Sequence, residues 1–273
     1  MNHDKKIVIR LIKSLCVIVS LLYSAISISD ELVLAVASST KSSGLIGKLI
    51  PVYEKHSGNN IKLYSVASGK ALKMGRRGEV DLVMVHAPEA ELKFIKDGYG
   101  VDHTKLMKNE FLIVGPADDP ARIDGMNDVQ QAFKHIHERN SLFISRADDS
   151  GTHNKESGIW LMSNIEPYGD WYYEFGGNMK DTLLIADEKQ GYVMVDSATW
   201  LKMRHRVSLQ VYVKGDSMLD NIYSVIAINP ERYRRPTSKH AKGFIDWIKS
   251  EDGLRIIRDL TIDNEKLYTL LQK

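Results

Sequence analysis

The amino-acid sequence predicts an α/β fold assembled from repeated strand–loop–helix units. Three observations carry that expectation. Short apolar runs are followed by polar loops of small residues and then by helical patterns, as at 31–53 and 61–74. Val80 to Val85 reads as an apolar strand of the kind found inside a parallel sheet covered on both faces. Midway, Gly115-Pro116-Ala117-Asp118-Asp119-Pro120 forms a turn-rich stretch where the chain can cross between two lobes. Such units build doubly wound sheets, whose ligand sites gather beyond the carboxyl ends of the strands.

The first 29 residues are expected to stand outside the fold. Lys5, Lys6, Arg10 and Lys13 precede the apolar run Leu15 to Ile26, and Ala25, Ser27 and Ser29 supply small residues for cleavage near Ser29-Asp30. That is the shape of a secretory signal peptide; an uncleaved anchor is the alternative. Cys16, the single cysteine, falls within this segment, so an exported product has no thiol for disulfides, metal ligation or nucleophilic attack. The segment also holds four of the 37 Lys and Arg and one of the 35 Asp and Glu. Without it the formal +2 charge disappears and the remainder is close to neutral, which argues against a nucleic-acid binder. The cluster Arg232-Tyr233-Arg234-Arg235 reads as a solvated loop.

Element by element, Glu31 to Ala37 is expected as a strand, Ser38 to Ser43 as a polar loop and Gly44 to Tyr53 as a helix. Ile61 to Ser65 is the second strand, Ala67-Ser68-Gly69 a turn, and Ala71-Leu72-Met74 opens the next helix. Phe111 to Val114 is a strand closed by the turn-rich stretch. Helix Val129 to Ile136 follows, then strand Leu142 to Ile144 and a helix starting near Thr152. Gln190 to Val195 and Leu209 to Val213 are further strands. Ser224 to Ile228 returns the chain to the first lobe, and Ala241 to Ile248 and Gly253 to Leu260 are closing helices. The expected division is a first lobe from 30–115 plus 221–273 and a second from 116–220.

The chemistry concentrates in Ser145-Arg146-Ala147-Asp148-Asp149-Ser150-Gly151-Thr152-His153. A lone Arg beside Ser-Gly-Thr at a helix start is suited to holding an anion. Free backbone N–H groups and the helix dipole favour negative charge, and Arg adds a permanent forked donor. Asp148 is placed to orient Arg146. The plainer reading is that Ser150 or Thr152 caps a helix while Arg146 makes a surface ion pair. Two more strand-to-helix loops, Ser38-Ser39-Thr40-Lys41-Ser42-Ser43 and Ala67-Ser68-Gly69, carry hydroxyls and amides. In a two-lobed fold the three converge on one cleft, giving many neutral donors and one cation for a small oxyanion.

Catalytic and metal readings find less support. Ser150 and His153 lack a Gly-x-Ser-x-Gly elbow, and Asp148 and Asp149 read as caps or Arg partners. On a helix the rings of His135 and His137 diverge, so they belong to a solvated face rather than a metal site. Trp160, Trp171, Tyr172 and Tyr173 read as core or hinge packing.

Four blocks carry a family resemblance: SVASGKALKMGRRGEVDLVMVHAPEAE at 65–91, FLIVGPADDPARIDG at 111–125, FISRADDSGTHNKE at 143–156, and GDWYYEFGGNMKDTLLIADEKQGYVMVD at 169–196. NIYSVIAINPE at 221–231 and GFIDWIKSEDG at 243–253 also fit. On these the chain resembles the tungstate-binding periplasmic components of ABC importers, within the type II solute-binding proteins. The resemblance implies a two-lobed fold, each lobe a sheet flanked by helices, with the ligand cleft between lobes. It implies that Ser38, Ser39, Thr40, Ser68, Arg146, Ser150, Gly151 and Thr152 hold the oxyanion. The family's Thr-Thr-Thr-Ser loop falls on Val36-Ala37-Ser38-Ser39, and its Asp-Arg pair on Asp196-Ser197, so three polar positions are replaced. Lys41 or Lys70 would be the cations available to compensate.

The implied function is periplasmic capture of tungstate, or molybdate, for delivery to an inner-membrane ABC permease. The expected protein is a monomer with no enzymatic activity, no cofactor, no resident metal ion and no nucleic-acid partner. Two alternatives stay open: another oxyanion such as phosphate or sulfate, and a degenerate sensor that has lost its ligand.

Overall fold

The computed structural model describes residues 31–233 and 238–271. The signal-peptide expectation for 1–29, with Cys16, lies outside the described residues, as do Arg234 and Arg235. In chain order the strands are β1 (Glu31–Ala37), β2 (Asn60–Val66), β3 (Leu82–Val85), β4 (Gly100–Gly115), β5 (Phe143–Ser145), β6 (Tyr172–Glu174), β7 (Val193–Asp196), β8 (Gln210–Val213), β9 (Asp220–Ile228), β10 (Thr261–Ile262), β11 (Glu265–Lys266) and β12 (Thr269–Leu270). The helices are α1 (Ser38–Ser42), α2 (Leu45–Ser57), α3 (Ser68–Arg76), α4 (Pro88–Lys96), α5 (Val129–Glu138), α6 (Gly151–Met162), α7 (Met179–Lys189), α8 (Ser197–Met203), α9 (Ser238–Ile248) and α10 (Glu251–Arg258).

β1 shows why a parallel centre forms. It pairs in parallel with β2 on one side and β3 on the other, and all but its first residue are buried. Alternation sends Leu32, Leu34 and Val36 into a core with α2, α9 and α10, and Val33 and Ala35 into a second core with Leu72 and Phe94. β9 continues the sheet antiparallel to β3, and β4 pairs antiparallel with β9.

β4 is the pivot of the architecture. Its residues Gly100 to Glu110 pair with β9, and Phe111 to Gly115 pair instead with β7 and β8. In that second part Phe111 and Ile113 enter a core with Phe133 and Trp160, while Leu112 and Val114 enter another with Leu183 and Met203. Each half of the sheet is therefore covered on both faces, and the two halves are continuous through one strand. The crossing expected at Gly115–Pro120 lies instead inside this strand, where the pairing partner changes between Glu110 and Phe111. Asp102, Lys105, Lys108 and Glu110 hid it: the first half of β4 is broken by register shifts and carries an irregular polar pattern.

Several boundaries differ from the sequence reading. The expected polar loop at 38–43 is mostly helical, because α1 starts directly at the end of β1. α2 begins after Gly44, whose φ of 92° turns the chain between two helices. The run Val80 to Val85 is interrupted by Asp81, whose carboxylate accepts the Val33 N–H at 2.8 Å, so the strand starts at Leu82. His135 and His137 are half-buried rather than solvated, and the His137 ring lies 4.9 Å from Trp171. Trp160 and Trp171 are buried in the second half's core as expected, while Tyr173 is exposed.

Candidate anion-binding site

The loop after β5 owes its shape to its own side chains. The Ser145 hydroxyl accepts the Ala147 N–H at 3.2 Å and donates to Glu156 at 3.1 Å. Asp148 accepts the Ser150 N–H at 3.1 Å and pairs with Arg146 through its other oxygen. Ser150 then caps α6 by accepting the His153 N–H at 3.2 Å. Ala147 and Asp149 sit at φ 46° and 57°, in the left-handed region that non-glycine residues seldom enter. The hydrogen bonds within the loop hold this strain.

Arg146 is only 7 % exposed, which sets it apart from a surface ion pair. Its Nε and the Thr152 hydroxyl are both buried without a hydrogen-bond partner. Beneath the loop, Glu156 is fully buried. It accepts from Tyr172 at 2.7 Å, from Ser145 and from Trp160. Burial pushes the Glu156 carboxyl from the ordinary 4.5 up to about 7, opposed by those donors and by the Arg146 N–H.

The opposite wall comes from the first half-sheet. The Ser39 hydroxyl meets His86 Nε2 at 3.1 Å, and Ser68 accepts the His86 N–H at 3.4 Å. His86 Nδ1 lies 2.8 Å from the Asn221 amide oxygen, and its ring stacks 4.8 Å from Tyr223. The two walls touch at two glycines. A Cβ on Gly151 would lie 2.6 Å from the His86 carbonyl, and one on Gly69 would lie 2.7 Å from the Asp149 carboxylate. An exposed Lys73–Asp149 pair at 3.1 Å adds little to this contact.

A cavity of about 380 Å³ opens between Ser38 and Ser39 on one side and Arg146 on the other, with Asn178, Thr199, Lys180 and Lys202 on its wall beside the apolar Met179, Ala198 and Met203. Of the expected set, Ser38, Ser39 and Arg146 line it directly. Ser68 and Gly151 lie behind, against His86, while Thr40 and Thr152 are fully buried and Ser150 is occupied as a cap. Lys41 and Lys70 are exposed and absent from this wall, and the cations present are Lys180 and Lys202. The Lys202 ammonium donates to the Ser42 carbonyl, and desolvation lowers its pKa. Val36 and Ala37 are buried strand residues, so the replaced threonine positions belong here to the core.

His86, Lys202 and Asn178 escaped the sequence reading. His86 had a signal, a lone imidazole at the carboxyl end of an apolar strand. Its partner Asn221 is too distant in sequence to suggest itself. Chemically, the lining sets hydroxyls, an amide and cations among apolar side chains, with no nucleophile–base pair, which suits reversible anion binding.

Residues 25–252 match the model of a PBP superfamily domain. The chain is 40 % identical over 229 residues to the tungstate-binding protein TupA of Peptoclostridium acidaminophilum, covering 83 % of this chain and 80 % of that protein. Among solved structures, the tungstate-binding protein TupA from Desulfovibrio alaskensis G20 superposes with a TM-score of 0.77 at 37 % identity, covering 89 % of this chain and 99 % of the other. The tungstate ABC transporter structure from Geobacter sulfurreducens gives a TM-score of 0.75 at 36 % identity, covering 84 % and 98 %.

Proposed function

The chain belongs to the PBP superfamily and, within it, to the family of TupA tungstate-binding proteins, and from that premise we propose that it captures tungstate in the Arg146 cavity for delivery to an ABC permease. The observation that carries this reading is the buried Arg146, which faces a cavity whose other wall offers the Ser38 and Ser39 hydroxyls. A dianion with only acceptor oxygens is matched by such donors, and exclusion of water strengthens each charge-assisted bond.

In this reading the anion docks on the Ser38–Ser39 wall, and the Arg146 loop closes over it as the half built on β7 and β8 approaches the half built on β1, β3 and β9. Ser68, Ser150, Gly151 and Thr152 shape the contact behind the anion, and Thr40 supports α1 from below. Lys180 and Lys202 supply further positive charge. The protein is exported by cleavage of 1–29, acts as a monomer in the periplasm, needs no cofactor and performs no chemistry on its cargo. Molybdate, with the same charge and acceptors, is the nearest competitor.

The test is to purify the protein from the periplasm of cells grown with equal tungstate and molybdate, and to measure bound metal and mass in solution. One tungsten per monomer is expected. Bound phosphorus or sulfur in place of tungsten would overturn the assignment of ligand, and retention in the membrane fraction would overturn cleavage of 1–29.

A further inference from the structure

His86 is one of the most constrained polar groups in the protein, being 5 % exposed and engaged at both ring nitrogens. The Asn221 amide fixes which nitrogen carries the proton. Its Nδ2 donates to Asn109 Oδ1 at 2.8 Å and to the Tyr223 hydroxyl at 2.9 Å, so its oxygen is left to accept from His86 Nδ1–H. A neutral His86 then has a bare Nε2, which accepts a hydrogen bond from the Ser39 hydroxyl. In that arrangement Ser39 turns lone pairs, and not a proton, toward the cavity it lines. An acceptor-only anion finds the wrong end of the dipole.

We propose that His86 is a proton-linked positioning residue: on capture of a fully deprotonated oxyanion it takes one proton from solvent at Nε2, donates to Ser39 Oγ, and so frees the Ser39 hydroxyl proton for the anion. This rests on the reading of the cavity as an oxyanion site. The proton balance is simple, because one proton leaves water, none is transferred from the anion, and no covalent bond other than N–H forms.

The surroundings suit an imidazolium once the anion is present. The ring lies between Tyr223 at 4.8 Å and Phe111 at 6.4 Å, both roughly parallel to it, and their faces attract a cation. The charged groups facing it are Asp196 from β7, Glu91 from α4 and Arg146 from the loop before α6. Burial holds its pKa below the ordinary 6.5; Asn221, Asp196 and Glu91 oppose that, and Arg146 reinforces it. A dianion on Arg146 offsets the one repulsive charge and leaves one negative charge in excess to attract the imidazolium.

Calorimetric titration of the full-length protein with tungstate, in buffers of different ionisation heat, tests this. Uptake of close to one proton per anion is expected, with affinity falling about tenfold per pH unit above the His86 transition of the free protein. Imidazole nitrogen NMR is expected to show His86 protonated at Nδ1 alone before binding and at both nitrogens after. In Ser39→Ala, Nε2–H loses its acceptor, so binding weakens and proton uptake falls below that of the native protein, a result that a purely structural role for His86 does not give. Tungstate binding with no proton uptake, or a bound His86 that is neutral with its proton moved to Nε2, overturns this inference and leaves the proposed function standing. Absence of tungstate binding by folded protein overturns both.

Discussion

On the side of the cavity built from β1, β3 and β9, the polar groups are neutral and bonded to one another through His86. On the side built from β5 and α6 they are charged and held by strained backbone at Ala147 and Asp149. The first wall rests on strands buried on both faces, and the second is a loop over a single buried carboxyl, Glu156. The difference separates two tasks. In the anion-free protein the first wall is neutral and sets geometry, whereas the Arg146 loop supplies a permanent charge.

Substitutions on the two walls therefore differ in size and kind. Arg146→Ala removes the cation and leaves Asp148 unpaired, so anion affinity is expected to fall by about 2–5 kcal/mol, measured by calorimetry. A change of under threefold would break the contrast. Next comes Glu156, which binds its proton more tightly in the folded than in the unfolded state. The folded protein then carries more protons between pH 4.5 and about 7, so stability is fully present below that window and declines as pH rises through it. The decline is on the order of 3 kcal/mol and is expected to flatten in Glu156→Gln. Urea denaturation across that range checks it, and equal slopes in both proteins would contradict the role given to Glu156.

Gly151→Ala probes the contact between the walls. Its new Cβ would lie 2.6 Å from the His86 carbonyl, which the backbone can relieve only by moving α6 away. A loss of about 1–3 kcal/mol is expected in thermal unfolding, with weaker anion binding. Ser38→Ala, on the neutral wall, should cost about 1 kcal/mol in affinity and little in stability. Smallest is Lys202→Met, expected to change affinity by about 0.2–1 kcal/mol and to reduce its salt dependence. If Lys202 outweighed Arg146, the division of labour between the walls would be reversed.

The charged wall was the more legible in the sequence. Arg146 with Asp148, and Ser150 with His153, act on one another within eight residues, so an ion pair and a cap are local patterns, whereas the tight approach of Gly151 is to the distant His86. The neutral wall was legible only in outline. Ser38 and Ser39 were visible as hydroxyls after a strand, yet α1 was not, since a five-residue polar helix has no apolar period to betray it. His86 acquires its role from Asn221, 135 residues away, and local spacing holds no trace of that bond. The same limit hid β4, whose two halves are defined by the strands they pair with and not by their own pattern. Lys202 was missed because it reaches the cavity from α8, outside the three loops that converge in sequence logic.

The most direct measurement is calorimetric titration of the anion-free protein and of Arg146→Ala with tungstate, molybdate, sulfate and phosphate. The expected result is tight one-to-one tungstate binding by the native protein, weak sulfate and phosphate binding, and loss of tungstate affinity in the variant. Undiminished tungstate binding by Arg146→Ala, or no heat with any of the four anions from folded native protein, would contradict the assignment of this cavity.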